Sequence, residues 1–214
     1  MPRGPFKLSV ARRRLRYAGR RALVFAAAAA LLGALTAADR LGWFGRAPAA
    51  DLEKYDGKTC LVVRVVDGDT LYVDIPDEGG DRTRIRLWGV DTPETVKPNT
   101  PQQHFGGEAS EFTKSAALNR LVRLELQRRR TRDKYGRLLA YVYLPDGEML
   151  NRVLVKDGYG YADTRFDHKY KAEFLKLQRK ARDAGLGLWK AATADDLPDY
   201  LRNTVKLPAS RPRM

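Results

Sequence analysis

The feature that most restricts the fold of this chain is a series of five short segments rich in strand-forming residues. They are residues 61–66, 71–75, 82–90, 121–127 and 138–144. The first two flank the turn-forming sequence Asp67-Gly68-Asp69, and the third alternates arginines with apolar residues. The first three segments therefore predict an antiparallel meander.

Three further segments carry apolar residues at helical spacing. They cover residues 107–119, residues 148–157 and a stretch that begins near Tyr170 and stops at Gly185. One helix after the third strand and two at the end fit an α+β fold. This order of elements predicts a five-stranded Greek-key β-barrel of the oligonucleotide-binding (OB) type with three helices. We expect this domain over residues 58–190, preceded by a linker at residues 39–57 and followed by a weakly structured tail at residues 191–214.

The amino-terminal region differs in character from the rest. Residues 1–21 are basic, and residues 22–38 are apolar and uncharged. In a helical conformation, residues 22–38 would be about 26 Å long. This order predicts a transmembrane helix, with residues 1–21 in the cytoplasm and the domain on the extracytoplasmic side. Trp43 and Phe44 favour a retained anchor, because such residues lie at membrane interfaces. The alternative is a signal segment, cleaved at residues 36–38 or 48–50, and a secreted protein.

Charge and metal-ligand content narrow the classes of function. The net charge is +14, but the first fifty residues hold ten basic residues and one acid, so the predicted domain is only moderately basic. Cys60 is the single cysteine, which excludes an intramolecular disulfide. His104 and His168 lack the spacing of a zinc site and are expected at the surface. Any bound metal should therefore be a hard cation.

Two short acidic sequences carry the candidate chemistry. One holds Asp67 and Asp69, and the other holds Asp91 and Glu94 just after the third strand. Each by itself is an ordinary turn sequence. The first and third strands of a meander, however, can bring their ends to one rim, where clustered carboxylates need a cation such as calcium or magnesium.

Arginines accompany these acids. Three of them, Arg82, Arg84 and Arg86, share one face of the third strand, and others surround the turn before the fifth strand. An arginine beside an acid and ion cluster stabilises the charge that develops on a transferring phosphoryl group. Spacing alone does not say which arginine does so.

The same residues resemble the active-site segments of the staphylococcal nuclease (thermonuclease) family. The matching segments are residues 66–70 (VDGDT), 86–95 (RLWGVDTPET) and 133–137 (DKYGR), within a similarity that runs from about Lys58 to Trp189. The resemblance implies a Ca²⁺-dependent nuclease that hydrolyses DNA and RNA, with single strands preferred, to 3′-phosphorylated products. It assigns the site residues three roles: metal ligands Asp69, Asp91 and Thr92 (through its carbonyl); catalytic residues Arg86, Glu94 and Arg137; and substrate-binding residues Lys134 and Tyr135.

In this resemblance Glu94 activates or orients the attacking water, and the two arginines hold the scissile phosphate. Asp67 is expected near the ion. The chain departs from the family in the loop at residues 163–167, where a stacking tyrosine is missing, so Tyr161 or Phe166 is expected to stack on a base. The alternative function is a non-catalytic nucleic-acid-binding module, whose expected mark is loss of these acids or arginines. No protein partner is inferred.

Overall fold

The computed structural model describes residues 25–31, 33, 48–95 and 103–207. The chain forms two compact units, Met1–Ala47 and Pro48–Met214. In the first unit residues 25–31 and 33 are helical. The remainder of the membrane segment predicted at residues 22–38, and all of residues 1–21, lie outside the described residues. No helix within the described residues is both long enough and apolar enough to span a bilayer.

The second unit is built on a closed barrel. Its strands are β1 (Thr59–Asp67), β2 (Thr70–Val73), β3 (Thr83–Leu87), β4 (Val90–Asp91), β5 (Leu121–Leu126), β6 (Leu138–Tyr143) and β7 (Tyr161–Ala162). Five of them close in the order β1-β2-β3-β6-β5, with β3 and β6 parallel and the other pairs antiparallel. The predicted meander and five-stranded barrel are confirmed. The short strands β4 and β7 form a separate antiparallel pair.

Alternation of side chains explains the barrel. In β3, Thr83, Ile85 and Leu87 are buried while Arg84 is exposed, so one face fills the interior. The strand predicted over residues 82–90 is interrupted after Leu87. Gly89 has a positive φ of 79°, which turns the chain toward β4.

Five α-helices accompany the barrel in the described part of the second unit, and three of them lie where the sequence predicted helices. In chain order they are α1 (Pro48–Tyr55), α2 (Gly106–Ala117), α3 (Leu150–Lys156), α4 (Lys171–Asp183) and α5 (Asp199–Arg202). Helices α2, α3 and α4 correspond to the three predicted helices. The core of the barrel joins Leu71, Ile85 and Leu124 to Leu154 of α3 and Phe174 of α4.

Helix α1 lies in the stretch that was predicted to be a linker. Tyr55 and Asp51 of this helix are fully buried, and Tyr55 belongs to the core of the barrel. The Asp51 carboxylate accepts hydrogen bonds from Thr131 Oγ1 at 2.7 Å and from Arg132 Nη2 at 2.8 Å. The second compact unit therefore begins at Pro48 rather than at residue 58.

The chain after Lys190 is also more ordered than the sequence suggested. The stretch from Thr193 to Val205, called here the C-terminal segment, contains a 3-10 turn (Ala194–Asp196) and α5. Its residues Leu197, Leu201 and Val205 are buried in a second hydrophobic cluster with Trp189. Three apolar side chains spaced through the segment hold it against the domain, which explains why it does not behave as a loose tail.

Candidate active site

The turn between β1 and β2 positions Asp69. Thr113 of α2 donates a hydrogen bond to the Gly68 carbonyl at 2.7 Å. A Cβ atom at Gly68 would lie 2.8 Å from the Thr92 side chain, so only glycine permits this close approach. Asp69 is buried and accepts a 2.9 Å hydrogen bond from the Thr92 backbone N–H. The turn and the segment that follows β4 are thus joined directly, as the sequence predicted.

The turn at Gly89 positions Asp91. The Gly89 carbonyl accepts a 2.9 Å hydrogen bond from the Asp163 backbone N–H, and β4 pairs with β7. Buried Asn151 of α3 fixes the preceding residue, because its Nδ2 donates to the Trp88 carbonyl at 3.0 Å. These contacts carry the chain away from the barrel and place Asp91 beside Asp69.

Arg86 joins the two acids. Its side chain is 12% exposed, its Nη1 pairs with Asp69, and its Nη2 lies 2.7 Å from Asp91 Oδ1. Burial lowers the pKa of Arg86, while the charge of Asp91 acts in the opposite direction. Burial also raises the pKa of Asp67, against the influence of Arg86. One guanidinium therefore pairs with two carboxylates at this rim of the barrel, which leaves one negative charge uncompensated among the three groups.

A cavity of about 590 Å³ opens above this cluster. The eight residues to which the resemblance assigned metal-binding, catalytic or substrate-binding roles all contribute to its wall: Asp69, Arg86, Asp91, Thr92, Glu94, Lys134, Tyr135 and Arg137. Asp67 lines the cavity too. The structure brings the predicted site together in one place.

The loop between β5 and β6 supplies the opposite wall. Arg137 Nε pairs with Asp133 at 2.6 Å, and the guanidinium lies 5.5 Å from the centre of the Tyr135 ring. Tyr135 is 70% exposed, and Lys134 Nζ lies 4.9 Å from the same ring. Both cations line the same cavity as Arg86, and Lys134 is exposed whereas Arg137 is partly buried.

The donor atoms at this rim suit a hard cation. Asp69 and Asp91 contribute carboxylate oxygens, and the backbone of Thr92 is tied to Asp69. Within the described residues, no group of three or more His, Cys, Asp or Glu side chains is arranged to hold a metal ion. A site at this place therefore depends on two carboxylates together with backbone or water oxygens.

Two expectations about ring side chains are corrected. His168, expected at the surface, is 7% exposed and packs against Gly89; burial lowers its pKa to about 4. Tyr161 is buried against Trp189 and is not available to stack on a base.

Phe166 remains as the candidate for base stacking. It is 41% exposed and lines the cavity. Its ring lies 6.2 Å from that of Trp88 in a stacked arrangement, and the Arg130 guanidinium lies 4.7 Å from its centre. An exposed aromatic face beside an arginine is the kind of surface that binds unpaired bases.

Three residues of the site were not predicted to belong to it: Asp163, Arg165 and Tyr200. Arg165 pairs with both oxygens of Asp163 at 2.9 Å and reaches Asp91 Oδ1 at 3.2 Å. Tyr200 donates a 2.9 Å hydrogen bond to Asp91 Oδ2. Burial and the nearby carboxylates raise the pKa of Tyr200, so its hydroxyl is protonated at neutral pH. The loop at residues 163–167 had been singled out for its departure from the family, but no periodicity or motif pointed to Tyr200.

Comparison with known proteins agrees with this geometry. The family model described as staphylococcal nuclease homologue matches residues 84–191. The thermonuclease of Staphylococcus intermedius is 47% identical over 137 residues, which are 63% of this chain and 77% of the relative. The thermonuclease of Staphylococcus hyicus is 44% identical over 142 residues, 66% of this chain and 81% of the relative. Endonuclease YncB of Bacillus subtilis (strain 168) is 37% identical over 128 residues, 59% of each chain.

The matches to thermonucleases and to an endonuclease define the class of this chain as a phosphodiester-cleaving enzyme, a nuclease, and the closed barrel gathers its carboxylates and arginines around one open cavity. Within that class, the chain belongs to the family of staphylococcal nuclease homologues.

Proposed function

We propose that this nuclease is calcium-dependent and hydrolyses DNA and RNA, preferentially as single strands, to 3′-phosphorylated products. The observation that carries the proposal is the joining of Asp69 and Asp91 by Arg86 at the floor of a cavity that Glu94 and Arg137 also line. Carboxylates in this cavity can hold a cation, and arginines in the same cavity can stabilise the negative charge of a phosphodiester during its cleavage.

Asp69, Asp91 and the carbonyl of Thr92 would hold the calcium ion. The all-oxygen donor set fits that ion, since calcium takes carboxylate and backbone carbonyl ligands. When bound there, calcium supplies positive charge that favours the phosphate and a water at the same site. Neither His104 nor His168 competes for this role, because His104 is exposed outside this cavity and His168 packs against Gly89.

The side chains of the enzyme divide the remaining work. Glu94 accepts a proton from the attacking water, the new bond forms between the water oxygen and phosphorus, and the bond to the 5′ oxygen breaks. The 5′ oxygen leaves as a hydroxyl after taking up a proton from solvent water, Glu94 returns its proton to solvent, and the phosphate stays on the 3′ oxygen. Arg86 and Arg137 hold the phosphate oxygens and stabilise their additional charge in the transition state.

The preference for single strands follows from the wall formed by Phe166. A base must leave its stack to pack against that exposed ring, which is easiest in an unpaired strand. Lys134 and Tyr135, across the cavity, contact the adjacent phosphates. Arg130, beside Phe166, adds positive charge to the same path.

We also propose that residues 22–38 place the domain on the extracytoplasmic side of a membrane, as a retained anchor or, after cleavage, as a secreted enzyme. Support comes from the uncharged apolar run and the arginines before it. Fractionation of expressing cells, followed by sequencing of the amino terminus of the recovered protein, distinguishes the anchor from the secreted form. Recovery of the intact chain in the soluble cytoplasmic fraction contradicts both.

The proposal is tested with the purified full-length chain and single-stranded DNA in calcium, magnesium or chelator. We expect cleavage in calcium and none in chelator. The electrophoretic mobility of the products should change when a phosphatase removes their 3′ phosphates. Glu94→Gln should lose activity, whereas Glu148→Gln, an exposed acid outside the cavity, should keep it. Binding of DNA without cleavage under every ion would instead identify a non-catalytic nucleic-acid-binding module.

A further inference from the structure

The C-terminal segment forms part of the wall around Asp91. It is held by Leu197 and Leu201, which are each 1% exposed, and by a 3.2 Å hydrogen bond from the Tyr161 hydroxyl to the Asp196 carbonyl. Its 3-10 turn carries a capping box between Thr193 and Asp196. These contacts fix the position of α5 relative to β7, which pairs with the strand that carries Asp91.

Tyr200 projects from α5 to Asp91. Its hydroxyl lies 2.9 Å from Oδ2, while Arg86 and Arg165 lie 2.7 Å and 3.2 Å from Oδ1. The Arg165 guanidinium also lies 4.5 Å from the centre of the Tyr200 ring. Both oxygens of Asp91 are thus held, and Tyr200 is the neutral donor among these three contacts.

We propose that Tyr200 is a positioning residue, which sets the orientation of the Asp91 carboxylate and thereby the affinity of the site for calcium. The inference rests on the proposed function, because Asp91 is there a calcium ligand. Tyr200 acts through Asp91 and takes no part in bond making or breaking. The C-terminal segment, which lies beyond the matched family region at residues 84–191, thus becomes part of the active site.

The physical reason lies in the rotational freedom of a carboxylate. A hydrogen bond from a neighbouring group already restricts the rotation of a ligating carboxylate, so less rotational entropy is lost when the cation binds. Removal of such a hydrogen-bond partner commonly weakens metal binding about 10-fold to 100-fold. The two arginines cannot replace Tyr200, since they contact Oδ1 alone. Their positive charge also opposes a cation, whereas the tyrosine hydroxyl is neutral.

Tyr200→Phe tests the inference, since it removes the hydroxyl and keeps the ring that packs beside Arg165. Calcium binding to the full-length chain is measured by calorimetry without nucleic acid, beside Tyr72→Phe, a matched change on β2 outside the cavity. We expect the dissociation constant of Tyr200→Phe to rise about 10-fold and that of Tyr72→Phe to stay unchanged. The calcium concentration for half-maximal cleavage should rise equally, while the rate at saturating calcium stays near wild type.

Thermal unfolding in chelator separates positioning from folding, because the midpoint for Tyr200→Phe should fall by no more than about 4 °C. If the wild type binds calcium and cleaves DNA but Tyr200→Phe has the same calcium affinity, the inference is overturned while the proposed function stands. A lower rate that excess calcium does not restore also overturns it. If the wild type binds no calcium, the proposed function fails and this inference fails with it.

Discussion

Replacing Arg132 with methionine should destabilise the enzyme by about 3–5 kcal/mol, because it leaves a buried acid without its cation. Arg132 is the link between α1 and the loop that carries Arg137. Its Nε and Nη2 lie within 3.1 Å of the Asp51 carboxylate, and its Nη1 lies 2.7 Å from Asp77. The same Nη1 donates to the Gly136 carbonyl at 3.0 Å.

The burial of Asp51 sets the size of this effect. Its side chain has no exposed surface, and among the hydrogen bonds described above only the one from Thr131 would remain. Burial raises the pKa of Asp77, but hydrogen bonds from Arg132 and other groups lower it to about 2, so this second acid also loses a stabilising partner. An uncompensated buried carboxylate accounts for most of the expected cost.

Urea unfolding measures the change, with Arg82→Met as the matched control. Arg82 pairs with Asp81 at 3.6 Å, and both side chains are at least half exposed, so its replacement should cost less than about 1 kcal/mol. In a thermal scan Arg132→Met should unfold roughly 10 °C or more below the wild type. Because the loop to Arg137 also loses its attachment, the cleavage rate should fall as well.

A double variant, Asp51→Leu with Arg132→Met, adds a sharper condition. Removing both charges leaves no buried ion, so the pair should be destabilised less than the sum of the two single changes. A cost below 1 kcal/mol for Arg132→Met, or simple additivity in the double variant, would refute the assignment of α1 to the domain through this ion pair.

Three further predictions concern the rings and turns of the site. Burial lowers the pKa of His168 to about 4, so the free energy of unfolding should fall by up to about 3 kcal/mol as pH drops from 6.5 toward 4. A His168→Gln variant whose unfolding kept the same pH dependence would contradict this prediction. A Cβ atom at Gly89 would lie 2.3 Å from His168, whereas a Cβ atom at Gly147, where φ is also positive, would meet no atom within 4 Å. Gly89→Ala should therefore lower the free energy of unfolding by about 2 kcal/mol more than Gly147→Ala. Equal urea midpoints for the two variants would contradict this. Phe166→Ala should raise KM for single-stranded DNA about 10-fold with kcat nearly unchanged, and an unaltered KM in steady-state assays would argue against stacking.

The barrel was predictable because its strands carry local signals. The alternation of Thr83, Ile85 and Leu87 with arginines, and the turn at Gly68, can be recognised within windows of a few residues. The site was predictable for a different reason, since its acids and arginines occur in three contiguous segments. The first two segments converge through the meander, and the third reaches the same cavity because β6 pairs with β3.

The contacts that were not predicted join residues that are far apart in the sequence, or involve a residue that is buried although it was expected at the surface. Asp51 and Thr131 are 80 positions apart, and Asp91 and Tyr200 are 109 apart, so no local pattern relates them. His168 was placed at the surface because it lacks the ligand spacing of a zinc site, yet its ring is buried and packs against Gly89. Long-range pairing, rather than propensity, decided each of these cases.

The most direct test of the catalytic site compares Arg86→Ala with Arg64→Ala under single-turnover conditions with single-stranded DNA in saturating calcium. Arg64 lies on β1 outside the cavity, so the two variants lose the same kind of side chain at different places. We expect a loss of about 10²-fold or more in the cleavage rate for Arg86→Ala and a rate near wild type for Arg64→Ala. Equal rates for both variants, with Arg86→Ala shown to be folded, would contradict it.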